Sequence, residues 1–265
     1  MPAHAKHLVV VSTEDRGEAG RIARVTVVNP EKRNALGIAG KQQLADAFNR
    51  LARDPLLRVA ILTGSGDRSF MAGADLAEMK SVTRSRARKF FTWTHRACAA
   101  IRALPVPVIA RINGYCFGAG MELAASCDMR VAVTTARFGM PEVRFGVPSG
   151  MEACLLPGLI GWGKTRELVF TGDHIDATEA HRIGFLEKLA DPGMLDAAVE
   201  QWVASILAAG PRAIRIQKAL IREWERLPIE KAIQAGINAC VEAKRTDEPR
   251  RLMQLFLDRK KTSKP

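Results

Sequence analysis

Short β-branched runs alternate with amphipathic helical stretches ahead of Met151 in this 265-residue chain, and that alternation confines it to a layered α/β fold. Residues 9–12 and 22–28 are β-branched runs around a polar turn with Gly17 and Gly20, the pattern of two strands. The second run stops at Asn29-Pro30. Leu44, Ala47, Phe48 and Leu51 then recur at helical spacing up to Asp54-Pro55, and residues 59–62 read as a short buried strand ending in Thr63-Gly64-Ser65-Gly66. An amphipathic helix is predicted over 84–103, with Arg84, Arg86, Arg88 and Lys89 on a basic face. Strands follow at 106–112 and 129–133, with a turn at Asn113-Gly114 and a short helix through Ala125 between them. The order strand, strand, helix therefore repeats.

From Met151 the pattern is mostly helical. Asp176 heads a helix whose Glu179 stands at capping-box spacing, residues 185–189 read as the last strand, and helices are predicted over 196–209, 213–225 and 229–243. Residues 196–265 contain no glycine loop and no isolated carboxylate in apolar context. They read as a packing or oligomerisation region beside a core of residues 1–195 that holds the chemistry.

An apolar content of 47% supports a sizeable core. The longest apolar stretch is broken by Pro105 and Pro107, too short for a membrane-spanning helix. Residues 1–10 lack the apolar segment and cleavage site of a secretory leader, so a cytoplasmic protein is expected. The five cysteines, at 98, 116, 127, 154 and 240, form no Cys-x-x-Cys pair and are expected to be reduced and packed. A net charge of +12 suits nucleic acid, a membrane surface or a phosphate-bearing small molecule, and equally a merely solvated basic surface.

Several motifs are set aside on context. Gly158, Gly163, Lys164 and Thr165 spell a phosphate-binding loop in letters, but the preceding residues are helix formers rather than a buried strand, so a helix-to-helix turn is expected. Gly64-Ser65-Gly66 lacks the third glycine of a dinucleotide fingerprint. The five histidines have no metal-ligand spacing, and no metal is expected. Ser149 is one residue out of register with a nucleophile elbow.

What remains is residues 113–142, which carry Glu122 after Gly118-Ala119-Gly120-Met121, and Glu142 after Phe138-Gly139-Met140-Pro141. A helical glutamate often just faces solvent, and one after a proline often just serves the helix dipole. The small neighbours of Glu122 argue for more, because they let backbone approach a ligand closely and leave free amides at a helix start. Two carboxyls sharing a dry pocket cannot both ionise freely, so one serves as acid and the other as base. The segment Ser69-Phe70-Met71-Ala72-Gly73-Ala74-Asp75-Leu76 offers a second set of free amides before a helix. One amide from each segment could hold a single carbonyl oxygen, each donor contributing roughly 3 to 4 kcal/mol in the transition state.

With these residues assembled, the sequence resembles the crotonase family, the enoyl-CoA hydratases and isomerases. The resemblance runs over nearly the whole chain, through Asn29-Pro30-Glu31-Lys32-Arg33-Asn34-Ala35-Leu36, residues 70–76, 113–122 and 138–142, Gly146-Val147-Pro148 and Phe170-Thr171-Gly172. It implies a spiral of strand-strand-helix units and a C-terminal helical region that builds homotrimers, often paired into hexamers. It assigns the oxygen-binding amides to Ala74 and Ala119, and the path of coenzyme A to Lys32, Ala35, Leu36, Ala72, Ala74, Asp75, Leu76 and Ala119. Coenzyme A would arrive as part of the acyl-CoA substrate, with no permanent cofactor. The family's two hydratase glutamates match Glu122 and Glu142, which favours an enoyl-CoA hydratase over an isomerase or another crotonase-type lyase or hydrolase. Glu122 is cast as the ionised group that deprotonates water, and Glu142 as the group exchanging a proton with the α-carbon, within a pair that titrates together. Neither a membrane nor a nucleic acid is expected as partner, although an RNA-binding member is the alternative outside enzymes.

The sequence departs from the family pattern in places. Ala77 stands where many relatives carry a lysine near the coenzyme, which turns attention to the basic residues of 84–89 or to a neighbour's C-terminal tail around Phe256 and Arg259. The segment Ser149-Gly150-Met151-Glu152 implies a different acyl pocket, with Glu152 as a third polar group and Phe90, Phe91 and Trp93 as candidates for its apolar wall.

Overall fold

An eight-residue strand with every residue buried, Leu57–Gly64, stands inside a six-stranded sheet in the computed structural model, which describes residues 7–262, with side chains through residue 258. The chain divides into two units, Met1–Trp202 and Val203–Pro265. In the first, β1 (Val9–Asp15) and β2 (Arg21–Val27) form an antiparallel hairpin, followed by α1 (Ile38–Leu51) and then β3 (Leu57–Gly64). A short strand β4 (Ser69–Met71) leads to α2 (Leu76–Ser81) and α3 (Arg84–Ala103). The same pairing of a long strand with a short one recurs in β5 (Val108–Ile112), β6 (Tyr115–Phe117) and α4 (Ala119–Ala125), and again in β7 (Met129–Val133) and β8 (Arg137–Gly139). Then come α5 (Leu156–Thr171), β9 (His174–Asp176), α6 (Ala177–Arg182) and β10 (Lys188–Ala190), and α7 (Leu195–Ala208) runs on past Trp202, where the second unit begins.

The long strands build one sheet in the order β1-β2-β3-β5-β7-β10, parallel beyond the first hairpin. The short ones build a second sheet in the order β4-β6-β8-β9. Each turn of the spiral thus lays one strand in each sheet. Phe48, Leu44, Leu57, Leu62, Ile101 and Phe90 are among the large side chains with almost no exposure between α1, α3 and the long sheet.

Two buried asparagines hold the short sheet to the long one. Asn34 is left-handed (φ 61), a conformation asparagine tolerates, and its Nδ2 donates to Ser69 O at 2.7 Å while its Oδ1 accepts from Asn29 N at 2.9 Å. Asn113 Nδ2 donates to Gly64 O at 3.0 Å and Gly66 O at 2.7 Å, fixing the exit of β3. Gly120 lets α4 close on β4, because a Cβ there would stand 2.1 Å from Met71 O.

Three expectations change. The last strand is Lys188–Ala190 rather than 185–189, because Phe185 and Leu186 turn into the core, where the Arg130 Nε donates to Phe185 O at 2.7 Å. The four short strands were not anticipated at all. Of the five free cysteines, Cys98, Cys116 and Cys127 are buried as expected, but Cys154 and Cys240 are exposed. Residues 158–165, the phosphate-loop lookalike, lie within α5, where Gly161 (φ 74) breaks the helix.

In the second unit α8 (Pro211–Trp224) packs against α9 (Ile229–Ala243), and α10 (Glu248–Thr262) follows. Glu248 caps α8 from outside, accepting from Arg212 N at 3.2 Å and Ala213 N at 3.0 Å. Ile229, Ile233, Ile237 and Val241 recur every four residues along α9 and are all exposed. Among the described residues no helix is long and apolar enough to cross a membrane.

Candidate active site

The short sheet delivers two loops to one place. β4 ends at Met71, and the chain runs through Ala72, Gly73 and Ala74 to Asp75, whose carboxylate caps α2 by accepting from Ala77 N at 3.0 Å. A parallel bridge joins Leu36 to Ala74: Leu36 N donates to Gly73 O and Asp75 N donates to Leu36 O. That ladder uses the Gly73 carbonyl and the Asp75 N–H and leaves Ala74's own N–H out. In the next turn, β6 ends at Phe117, Gly118 N donates to Gly139 O, and Ala119 begins α4. An amide in the first turn of a helix has no partner within the helix.

Gly118 is required here twice over. Its backbone (φ 52, ψ −121) is one L side chains avoid, and a Cβ would stand 2.4 Å from Glu142 Oε1. Glu142 belongs to a short 3-10 turn, Pro141–Phe145, and its Oε2 accepts from Ser149 Oγ at 2.7 Å. Glu122, on α4, is 1% exposed. Its Oε1 accepts from Ala153 N at 3.0 Å, and its buried Oε2 has no hydrogen-bond partner.

Ala74, Ala119, Glu122 and Glu142 line one cavity of about 440 Å³, together with Ala72 and Leu76. Burial and then the charge of Glu142 push the Glu122 pKa up to about 8. Burial also raises Glu142, with the Ser149 hydroxyl pulling the other way. Glu122 is the more deeply buried of the two and lacks a hydroxyl donor, so its environment favours the protonated form the more strongly.

Most of the other sequence candidates lie outside the cavity. Lys32 is half exposed and paired with Asp75 at 2.5 Å. Ala35 is buried, and Leu36 is buried completely, its amide and carbonyl both used in the bridge to the 73–75 segment. Ala77 and the basic residues 84, 86, 88 and 89 are exposed. Phe90 and Phe91 line the cavity, whereas Trp93 stacks with Arg96 at 4.6 Å. Glu152 is buried, its Oε1 bonded to His95 Nδ1 at 2.6 Å and its Oε2 without a partner. Among the described residues no group of three or more His, Cys, Asp or Glu is arranged to hold a metal ion.

The cavity also has residues that sequence reasoning missed. Arg33, Arg144 and His174 line its exposed rim, and Phe117 stacks on His174 at 4.3 Å. Lys41 lies at the dry end, 2% exposed, its Nζ 3.8 Å from the centroid of the Phe90 ring. A signal for it existed: Lys41 falls on the same helical stripe as Leu44, Phe48 and Leu51, so helical geometry alone turns it inward.

Residues 17–264 match the family model for Enoyl-CoA hydratase/isomerase. A crotonyl-CoA hydratase of Syntrophomonas wolfei is 35% identical over 92% of this chain and 94% of its own length. A short-chain-enoyl-CoA hydratase of Clostridium acetobutylicum is 33% identical over 91% of this chain and 93% of its own. The crystal structure of an enoyl-CoA hydratase from Mycobacterium smegmatis superposes with a TM-score of 0.90 at 30% identity, covering 96% of this chain and 97% of that one.

Proposed function

The chain belongs to the enoyl-CoA hydratase/isomerase family, and from that premise we propose that it is an enoyl-CoA hydratase, adding water reversibly across the double bond of a 2-enoyl-CoA thioester. The observation that carries this reading is the convergence of two carboxyls from different elements, Glu122 and Glu142, on one dry cavity beside the amide-bearing loops at Ala74 and Ala119. A 2-enoyl thioester becomes electrophilic at its β-carbon only as negative charge collects on the carbonyl oxygen. The two amides are the groups that stabilise that charge, at roughly 3 to 4 kcal/mol each.

One water between the carboxyls then suffices. Its hydroxyl joins the β-carbon as its proton passes to the ionised carboxylate, and the protonated carboxyl gives its proton to the α-carbon. The pair ends as it began, with one proton. Dehydration is the same path run backwards. Coenzyme A is substrate throughout, reaching the cavity over the 32–36 and 72–76 segments, with Lys32 and the rim cations Arg33 and Arg144 as the phosphate contacts. Assembly as a homotrimer, or a pair of trimers, belongs to the same reading, and the exposed apolar row of α9 supports it.

Loss of the conjugated thioester absorbance of crotonyl-CoA tests the reaction. Glu122→Gln and Glu142→Gln should each lower kcat by roughly 10²- to 10⁴-fold with the fold intact. Full activity in either variant would sink the two-carboxyl mechanism, and migration of the double bond without hydration would make the chain an isomerase.

A further inference from the structure

Lys41 is a buried cation with nothing to bond. Its Nζ has no hydrogen-bond partner, and the two carboxylates nearest in the electrostatic sense are spoken for: Glu78 accepts from Ile38 N at 3.1 Å, and Glu122 Oε1 accepts from Ala153 N at 3.0 Å. The free oxygen of Glu122 is itself unpartnered, so lysine and glutamate do not bond each other. Phe90 offers its ring face 3.8 Å away, which attracts the ammonium but satisfies none of its three N–H groups. Burying a charge without a hydrogen-bonded partner is costly, and an apolar side chain on this stripe would fold at least as well. The cost makes sense if the missing acceptor comes from the ligand.

The place of Lys41 in the cavity says which part of the ligand. The rim, with Arg33, Arg144 and His174, is exposed, whereas the end lined by Lys41, Phe90 and Thr94 is buried. A nucleotide tail cannot enter that end, so it receives the far end of the acyl group. We propose that Lys41 is a specificity-determining residue that binds a carboxylate at the distal end of the acyl chain, so that this chain acts on 2-enoyl-CoA substrates derived from short dicarboxylic acids. The inference rests on the hydratase reading for its reaction, though not for its binding. Burial lowers the Lys41 pKa to about 8, against the pull of Glu78, Glu122 and Cys98, so the ammonium still predominates at neutral pH. A bound carboxylate would raise it again.

Binding and turnover separate the two claims. Glutaryl-CoA and hexanoyl-CoA, which differ in their terminal group, are titrated calorimetrically into wild type, Lys41→Met and Lys41→Gln, each variant first shown to melt cooperatively. Wild type should bind glutaryl-CoA roughly 10- to 100-fold more tightly, and both variants should lose that preference, Lys41→Met reversing it. In turnover, glutaconyl-CoA should be favoured over 2-hexenoyl-CoA by a similar ratio that collapses in the same variants. Equal affinity of wild type for the two ligands would overturn the proposal, and so would variants that weaken both ligands alike, since Lys41 would then only steady Glu122. Should wild type prefer glutaryl-CoA yet fail to hydrate crotonyl-CoA and glutaconyl-CoA, the carboxylate receptor stands and the hydratase reading falls.

Discussion

The two sheets of the first unit are built from the same stretch of chain, turn by turn, yet they differ in what holds them. β3 is eight residues long and buried throughout, and β5 beside it and β7 beyond that each have five residues, mostly buried. β4, β6, β8 and β9 have three residues each, too few to pair stably on their own. They are held from outside by Asn34 and Asn113, and by glycines that let backbone touch backbone. The long sheet supplies hydrophobic stability. The short one aims Ala74, Ala119 and Glu122, each of which follows one of its strands. The contrast teaches that stability and positioning can be assigned to different layers, so substitutions in the two should separate on two different measurements.

The sharpest break would come at Gly118. In Gly118→Ala the new methyl must displace Glu142 Oε1 from 2.4 Å and the backbone must hold an L residue at φ 52. A displacement near 1 Å at a catalytic group costs on the order of 10²-fold in rate, and the strained backbone costs roughly 1–3 kcal/mol of stability. Crotonyl-CoA kcat/KM should therefore fall at least 10²-fold while the protein stays folded at 25 °C. A variant that kept its rate would show that Glu142 is not held by contact with this backbone.

The opposite case is Leu62→Ala in β3, a wholly buried side chain in the long sheet. Removing it should cost roughly 3–5 kcal/mol through lost transfer energy and the cavity left behind. Tm should fall by about 10 °C, with kcat/KM of the folded protein within about 2-fold of wild type. A large kinetic defect at low temperature would erase the division of labour between the layers.

The same contrast governs what could be read from the chain. β7 and α3 were legible to the residue, because a short run ending in three buried apolar residues, like a twenty-residue amphipathic period, writes its own local signal. A three-residue strand is shorter than two full alternations and owes its existence to partners far away, as Ser69 does to Asn34, 35 positions earlier. Glu122 and Glu142 stood out locally, as carboxylates among small and apolar residues. Their protonation did not, since it depends on Ala153, Ser149 and depth of burial. Lys41 was passed over because a lysine beside an apolar stripe ordinarily marks the stripe's edge. Leu36, named through the family resemblance as a coenzyme contact, is also a buried tie between the 36 and 74 segments, a pairing no local pattern announces.

The smallest effect tests the short sheet's finest adjustment, the balance of one proton between two carboxyls. The active form is the singly protonated pair. Below the raised pKa of Glu142 both carboxyls are neutral and no base is left, so kcat/KM falls as pH drops; above about 8 Glu122 loses its proton as well, no acid is left, and kcat/KM falls again. Ser149 donates to Glu142 at 2.7 Å and favours its ionised form, so it sets the acid limb alone. In Ser149→Ala the Glu142 pKa rises, and the acid limb should move up by roughly 0.5–1 pH unit, the worth of one hydrogen bond to a carboxylate. The alkaline limb should hold or move down slightly, because a less ionised Glu142 repels the Glu122 charge no more than before. A pH profile of crotonyl-CoA hydration in which the alkaline limb shifted and the acid limb stayed would exchange the roles of the two glutamates, and would place the resting proton on the carboxyl nearer the hydroxyl.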